Sequence, residues 1–330
     1  MLARSMRIPA YTDRRALVLA LVVGIPSSVV FLWLAVRSAD FGEVRHALRQ
    51  ADPGLVALAV VAMGAVYLLQ AERWRGIAGE KRLSRRRFAE MVVVAVACNN
   101  VLPGRAGDVL RARWLAVASG ALSGRALASV VLDRGSDVVV LFAFLVVSLP
   151  AVASSTWLLR LGLGALVLLS IFAAALVFAR AYTSRRPRER RERSLVRRVL
   201  RDTLEGLAEP LGRRRLARAL ALGGAAWIVW AAVAVLVASA VGVHLSMLEA
   251  LFVAAVVNLG VAVPSSPGFV GTYQWLGVES LALLDVGRER GLAFAILLHA
   301  TWYIPTTLIG ALVVGVRFLR RLRRRGAVAA

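Results

Sequence analysis

The chain has one cysteine, Cys98, so no intramolecular disulfide can form. Its three histidines, His46, His244 and His299, stand far apart and offer no metal-ligand spacing. No nucleotide-binding or nucleophile-elbow motif accompanies them, so neither a metal nor a cofactor is expected. Acidic residues are also scarce, with 19 Asp and Glu against 42 Lys and Arg, a formal net charge of +23. A balance this basic would suit nucleic acid in principle. Here, however, the basic runs abut apolar blocks, which fits positive-inside topology and anionic headgroups, and no nucleic-acid partner is expected.

What is abundant is apolar: 59% of the residues are hydrophobic, in blocks near the length that spans a bilayer. The mean hydropathy is +0.71. This predicts an all-α polytopic membrane protein, a single domain over residues 1–330, multi-pass in the cell membrane. Four Arg precede the run Ala16–Val36, which is too long for a signal-peptide core and reads as a retained first helix with a cytoplasmic N-terminus. Loop Arg37–Gly54 suits the outside, Leu55–Gln70 returns, and the basic loop Ala71–Arg87 reads as cytoplasmic. Leu127–Leu149 and Trp157–Ala179 follow as spans. Loop 180–218 carries 14 Arg against five acids and reads as cytoplasmic. Within it Leu195, Val196, Val199, Leu200, Leu204 and Leu207 mark an amphipathic helix, either lying at headgroup level or simply connecting. Ala219–Val241 and Leu292–Val316 complete the spans, and the Arg-rich tail places the C-terminus inside.

These assignments force two hairpins. Residues 88–119 must begin and end on the cytoplasmic side. Their two arms of about 14 residues, about 21 Å each, are too short to cross alone. Residues 248–285 must likewise begin and end outside, turned at Val263–Gly271. The expectation is about six transmembrane helices plus two opposed re-entrant hairpins, an inverted-repeat layout that points to a transport site near the midplane. The alternative is that both are kinked, packed helices. No close internal sequence identity is apparent, so the repeat rests on layout.

The first tip, Asn99-Asn100-Val101-Leu102-Pro103-Gly104-Arg105-Ala106-Gly107-Asp108-Val109-Leu110-Arg111, puts amides and charges at membrane depth, where they survive mainly along a cavity or substrate path. Arg105 and Arg111 can grip a phosphate, or Arg111 can pair structurally with Asp108. Asn99 and Asn100 offer neutral donors, and the N-terminus of the following arm offers free N–H groups. Asp133, Arg134 and Asp137 lie inside an apolar run. They are expected to pair internally or with Arg111 or Arg113, as a network holding the hairpin or as a proton relay. The second half supplies Asn258, then Ser265, Ser266, Pro267, Gly268, Gly271, Tyr273 and Gln274 around its tip. His299 and Tyr303 either face the same cavity or pack helices.

Three stretches resemble the lysylphosphatidylglycerol synthase transmembrane-region family, flippase-like membrane proteins. Leu102, Pro103, Gly104, Gly107, Asp108 and Arg111 are similar to its Leu-Pro-Gly-x-x-Gly-Glu-x-x-Arg pattern, with Asp for Glu. Asp133, Arg134 and Asp137 resemble a Glu-Arg-x-x-Asp stretch. Pro267, Gly268, Gly271 and Gln274 resemble Pro-Gly-Gly-x-Gly-x-x-Glu, with Phe269 for a Gly and Gln274 for the acid. The resemblance implies a lipid flippase or transporter for a phospholipid or lipid-linked phosphate headgroup. The partners implied are an anionic phospholipid or polyprenyl-phosphate-type lipid, the bilayer and a separate lipid-modifying enzyme. Family members with appended soluble transferase domains make aminoacyl or glycosyl lipids. Spans and hairpins use up these 330 residues, so such synthesis is not expected here. Two other readings stay open: a scaffold for a separately encoded transferase, or a membrane-embedded transferase built on Asp108, Asp133 and Asp137.

Overall fold

The computed structural model describes residues 14–103, 105–152, 195–209, 211–261 and 267–329, with scattered residues between 163 and 182. Among the described residues there is no strand. Helix α1 is Arg14–Val36, and α2, Phe41–Gln50, starts where Asp40 accepts from the N–H groups of Gly42 and Glu43. Helix α3, Pro53–Ala78, is capped in the same way by Asp52, has Pro at its first position and stops at the left-handed Gly79. Then come α4 (Arg85–Val101), α5 (Ala106–Ser119) and α6 (Ser123–Ser148), followed by a 3₁₀ turn at Leu149–Ala151.

The described residues between 163 and 182 are helical. Helix α7, Leu195–Ala208, is the expected amphipathic segment and packs on α6, where Gly124 and Gly206 allow close approach. Its Leu200 stays 57% exposed. Helix α8 is Arg213–Ala240, and α9, Met247–Gly260, opens with a Ser246–Glu249 capping box. A 3₁₀ turn at Pro267–Phe269 leads into α10, Thr272–Ala282, and α11 runs from Arg288 to Ala329. By length and composition α3, α8 and the Arg288–Arg320 part of α11 can each cross a membrane. Helix α6 has 26 residues, about 39 Å, but carries Asp133, Arg134 and Asp137 in its middle.

The packing treats the two halves alike. Helices α3 and α8 form the central pair, and α4 lies on α11 as α9 lies on α6. Within each half, α3–α4 and α8–α9 pack, as do the hairpin arms α4–α5 and α9–α10, then α5–α6 and α10–α11. The amphipathic helices match too, with α2 on α11 and α7 on α6. The two turn stretches share the sequence pattern Pro-Gly-x-x-Gly, Pro103-Gly104-Arg105-Ala106-Gly107 and Pro267-Gly268-Phe269-Val270-Gly271, 164 residues apart. Arg105 (φ 52°) and Phe269 (φ 61°) are left-handed at equivalent positions. Layout alone is therefore not the whole basis of the repeat. It also has a short sequence signature, set by a turn that tolerates few residues.

The core follows from the apolar helix faces. Fully buried side chains such as Val66, Val233, Val237, Phe252, Phe294, Leu281 and Leu298 fill the space between α3, α8, α9, α10 and α11. A smaller cluster around Trp74, Phe88 and Met91 fixes the first hairpin to α3. By contrast Val61, Leu68, Leu308 and Leu312 are well exposed on long helices, as suits surfaces against hydrocarbon.

Candidate functional site

Helix α3 runs eight residues past the expected end of its span, through Ala78, and carries Arg73 into the protein with 1% of its side chain exposed. Arg73 Nε lies 2.8 Å from Asp133 Oδ1, while its Nη1 and Nη2 donate to the two oxygens of Asp137 at 2.5 and 3.0 Å. Arg111 Nη1 donates to the other Asp133 oxygen at 3.0 Å, and Arg111 Nε lies 3.0 Å from Asp108 Oδ1. Arg134 Nη2 donates to Asp108 at 2.9 Å, and its Nη1 lies 3.5 Å from Asp137. Three Arg and three Asp thus alternate in a closed, charge-neutral ring tying α3, α5 and α6. Trp227 of α8 adds an indole N–H to Asp137 at 2.8 Å, and the Arg111 guanidinium sits 4.8 Å over the Trp74 ring.

The ring explains how six ionisable groups are held in an apolar protein. One unpaired charge at a helix centre costs roughly 2.5–3.5 kcal/mol on insertion scales. Here each guanidinium meets two carboxylates, and each carboxylate meets two guanidinium groups. Arg73 is the member that sequence reading missed, because an Arg near the end of a short apolar run passes for a loop residue. The signal was the length of that run: Leu55–Gln70 has 16 residues, about 24 Å, too short to cross.

Beside the ring lies a cavity of about 200 Å³, walled by α3, α4, α6, α8, α9 and both tips. Arg111, Asp133, Arg134 and Asp137 line it, with Asn99, Asn100, Arg105, Asn258, Phe269 and Tyr273. Arg105 differs from the other arginines. Its Nη2 donates to the carbonyl of Val261 at 2.9 Å and its guanidinium lies 5.4 Å over the Phe269 ring. No carboxylate among the described residues is within ion-pair distance of it. The equivalent positions of the two tips therefore touch each other, and one of them contributes the surplus cation.

The tip amides mostly serve the fold. Asn99 Oδ1 accepts the Gly107 N–H at 2.7 Å, which caps α5 and leaves the Asn99 amide nitrogen free to face the cavity. Asn100 was expected as a donor to substrate. Its Nδ2 instead donates to Thr307 at 2.8 Å, Thr306 at 3.2 Å and the Tyr303 carbonyl at 3.3 Å, around Pro305 of α11. Asn258 Nδ2 donates back to the Ala254 carbonyl at 2.9 Å. Gly107 is required sterically, since a Cβ there would lie 1.8 Å from the Ala95 carbonyl oxygen.

At the second tip Gln274 turns inward. Its Oε1 accepts from the Gly271 N–H at 2.7 Å and its Nε2 meets His299 Nδ1 at 2.8 Å. Tyr273 stacks on His299 at 4.6 Å, and the Tyr303 hydroxyl donates to the Asn100 carbonyl at 3.3 Å. His299 and Tyr303 therefore pack behind the tip rather than line the cavity. Gly268 passes Tyr303 and the Asn100 carbonyl where a side chain would not fit, and Gly271 lies against Ser28 of α1. Pro103 and Pro267 begin the two turns. Gly104, Ser265 and Ser266 lie outside the described residues, and no cluster of three metal-ligating side chains occurs among those described.

The profile of the lysylphosphatidylglycerol synthase transmembrane region matches residues 17–310. The chain belongs to that family. Among curated proteins the chain is similar to a UPF0104 membrane protein of Methanothermobacter thermautotrophicus, 35% identical over 102 residues, 29% of this chain and 30% of that protein. Another is the glycosyltransferase AglD of Haloferax volcanii, 27% identical over 324 residues, 85% of this chain and 51% of that protein. The chain thus spans about a third to about a half of the length of these relatives. As a member of this family with three helices, among the described residues, long and apolar enough to cross a membrane, it is a multi-pass membrane protein.

Proposed function

We propose that the protein is a flippase-type transporter that carries a phosphate-bearing lipid headgroup through the central cavity while the acyl or polyprenyl tails remain in the bilayer. The observation that supports this most directly is the charge of the cavity wall. The six-membered ring sums to zero, so Arg105 leaves a single uncompensated cation at the meeting point of the two tips. A guanidinium whose partners among the described residues are a carbonyl and a ring face can exchange them for a phosphate oxygen pair with little cost. Such a site replaces the water shell that a phosphate loses in hydrocarbon.

The matched packing of the halves supports an inverted repeat, with the first hairpin entering from the cytoplasm and the second from outside. Both chain ends then lie in the cytoplasm. The substrate class is an anionic phospholipid or a polyprenyl-phosphate-type lipid of the cell membrane. Arg111, Asp133, Arg134 and Asp137 hold the cavity wall in shape, and Arg105 carries recognition. Native mass spectrometry of the purified protein tests this. Wild type retains a phosphate-bearing lipid that Arg105→Ala loses, and equal retention by both proteins would overturn the role of Arg105.

A further inference from the structure

We infer that the headgroup is a neutral, hydroxyl-rich phosphoester, a sugar or polyol phosphate, and bears no ammonium group. The inference rests on the phosphate reading of the cavity given above and adds what lies beyond the phosphate.

An ammonium headgroup needs a carboxylate or a strongly negative wall. Asp133 and Asp137 are the cavity's only carboxylates among the described residues, and each already bonds two arginines. To pair with either, an ammonium would have to open the ring, and it would stand beside Arg105, Arg111 and Arg134. At the second tip no described side chain is acidic, and the amide of Gln274, which stands where an acid would, has both ends already bonded. Aromatic faces can hold an ammonium, but the surplus charge of Arg105 on the same wall opposes it.

The groups left free are of another kind. Gln70 lines the cavity and makes no hydrogen bond among the described residues. The Asn99 amide nitrogen and the Asn258 carbonyl oxygen are likewise unbonded there. Amides offer a donor and an acceptor side by side, the complement of a hydroxyl. Among them stand the partly exposed rings of Tyr67, Phe269 and Trp302. The C–H face of a sugar or cyclitol packs on such rings while its hydroxyls turn to the amides. The volume of about 200 Å³ is below the roughly 300–1,000 Å³ of drug-sized sites, so one compact ring fits and an oligosaccharide does not.

The test is a titration of the full chain in amphipol, followed by tryptophan fluorescence, with hexose 1-phosphate, inositol 1-phosphate, phosphocholine and inorganic phosphate. The sugar and inositol phosphates are expected to bind about tenfold tighter than phosphocholine or phosphate. Gln70→Ala and Asn258→Ala should lose that advantage while keeping the affinity for inorganic phosphate, and Trp302→Leu should do the same if either amide variant is unstable. The hexose phosphate carried on a polyprenyl chain should bind tighter still, and equal affinity with the free form would overturn the lipid assignment. Phosphocholine binding as tightly as the polyol phosphates would overturn the hydroxyl assignment alone. No binding of any of the four would overturn the phosphate reading beneath it.

Discussion

Arg73, buried in the ring, and Arg105, half-buried on the cavity wall, call for opposite behaviour. Arg73 neutralises two aspartates, so Arg73→Ala leaves uncompensated buried charge and should cost about 3–5 kcal/mol in denaturant unfolding in micelles. Adding Asp137→Asn should recover part of that loss in a double-mutant cycle; additive costs would contradict the ring. Arg105 bonds a carbonyl and a ring face and no carboxylate among the described residues, so Arg105→Ala should cost about 0.5–1.5 kcal/mol, well below the cost at Arg73. Five of the six ring members could be picked out from the sequence, because charges inside an apolar run are conspicuous. What could not be read was who pairs with whom. Arg111 is open to two roles on paper, phosphate contact or structural pairing, and the structure pairs it with Asp108 and Asp133.

At the scale of elements, the short paired arms and the amphipathic helix were legible, since Pro and Gly break the apolar runs at both tips and the apolar residues of the basic loop recur at helical spacing. The boundary of α3 was not, because the charge of Arg73 is cancelled by residues 60 and more positions away. The tip turns were visible as breaks but not as a shared device, since a five-residue signature is short against the chain. That device depends on Gly107, whose missing side chain lets α5 reach the Ala95 carbonyl. Gly107→Ala should therefore separate the arms and cost about 1–3 kcal/mol or more, measured by thermal unfolding. A variant as stable as wild type would show that the hairpin is looser than the contact distance implies. The amide of Asn99 has a double part here, holding α5 with its oxygen and facing the cavity with its nitrogen.

For the whole molecule, the exchange symmetry of the packing makes a topological prediction. With α2 and α7 equivalent in an inverted repeat, they lie on opposite faces of the membrane. In a Cys98→Ala background, Arg49→Cys should be labelled by an impermeant maleimide only from outside, and Arg198→Cys only from the cytoplasm. Labelling of both from one side would make the repeat parallel. The symmetry also has a limit: Arg105 and Phe269 are equivalent in the backbone and different in charge, so on the proposed reading only one tip would supply the cation for a headgroup. That asymmetry lets one side chain be changed without dismantling either half.

The decisive measurement is headgroup translocation in reconstituted vesicles, comparing wild type, Arg105→Lys and Arg105→Ala at equal amounts of folded protein. Transport of a phosphate-bearing lipid should be present in wild type, reduced in Arg105→Lys, which keeps the charge but not the forked geometry, and lost in Arg105→Ala. A wild-type rate in Arg105→Ala would contradict the account, since the one uncompensated cation of the cavity among the described residues would then play no part in moving the headgroup.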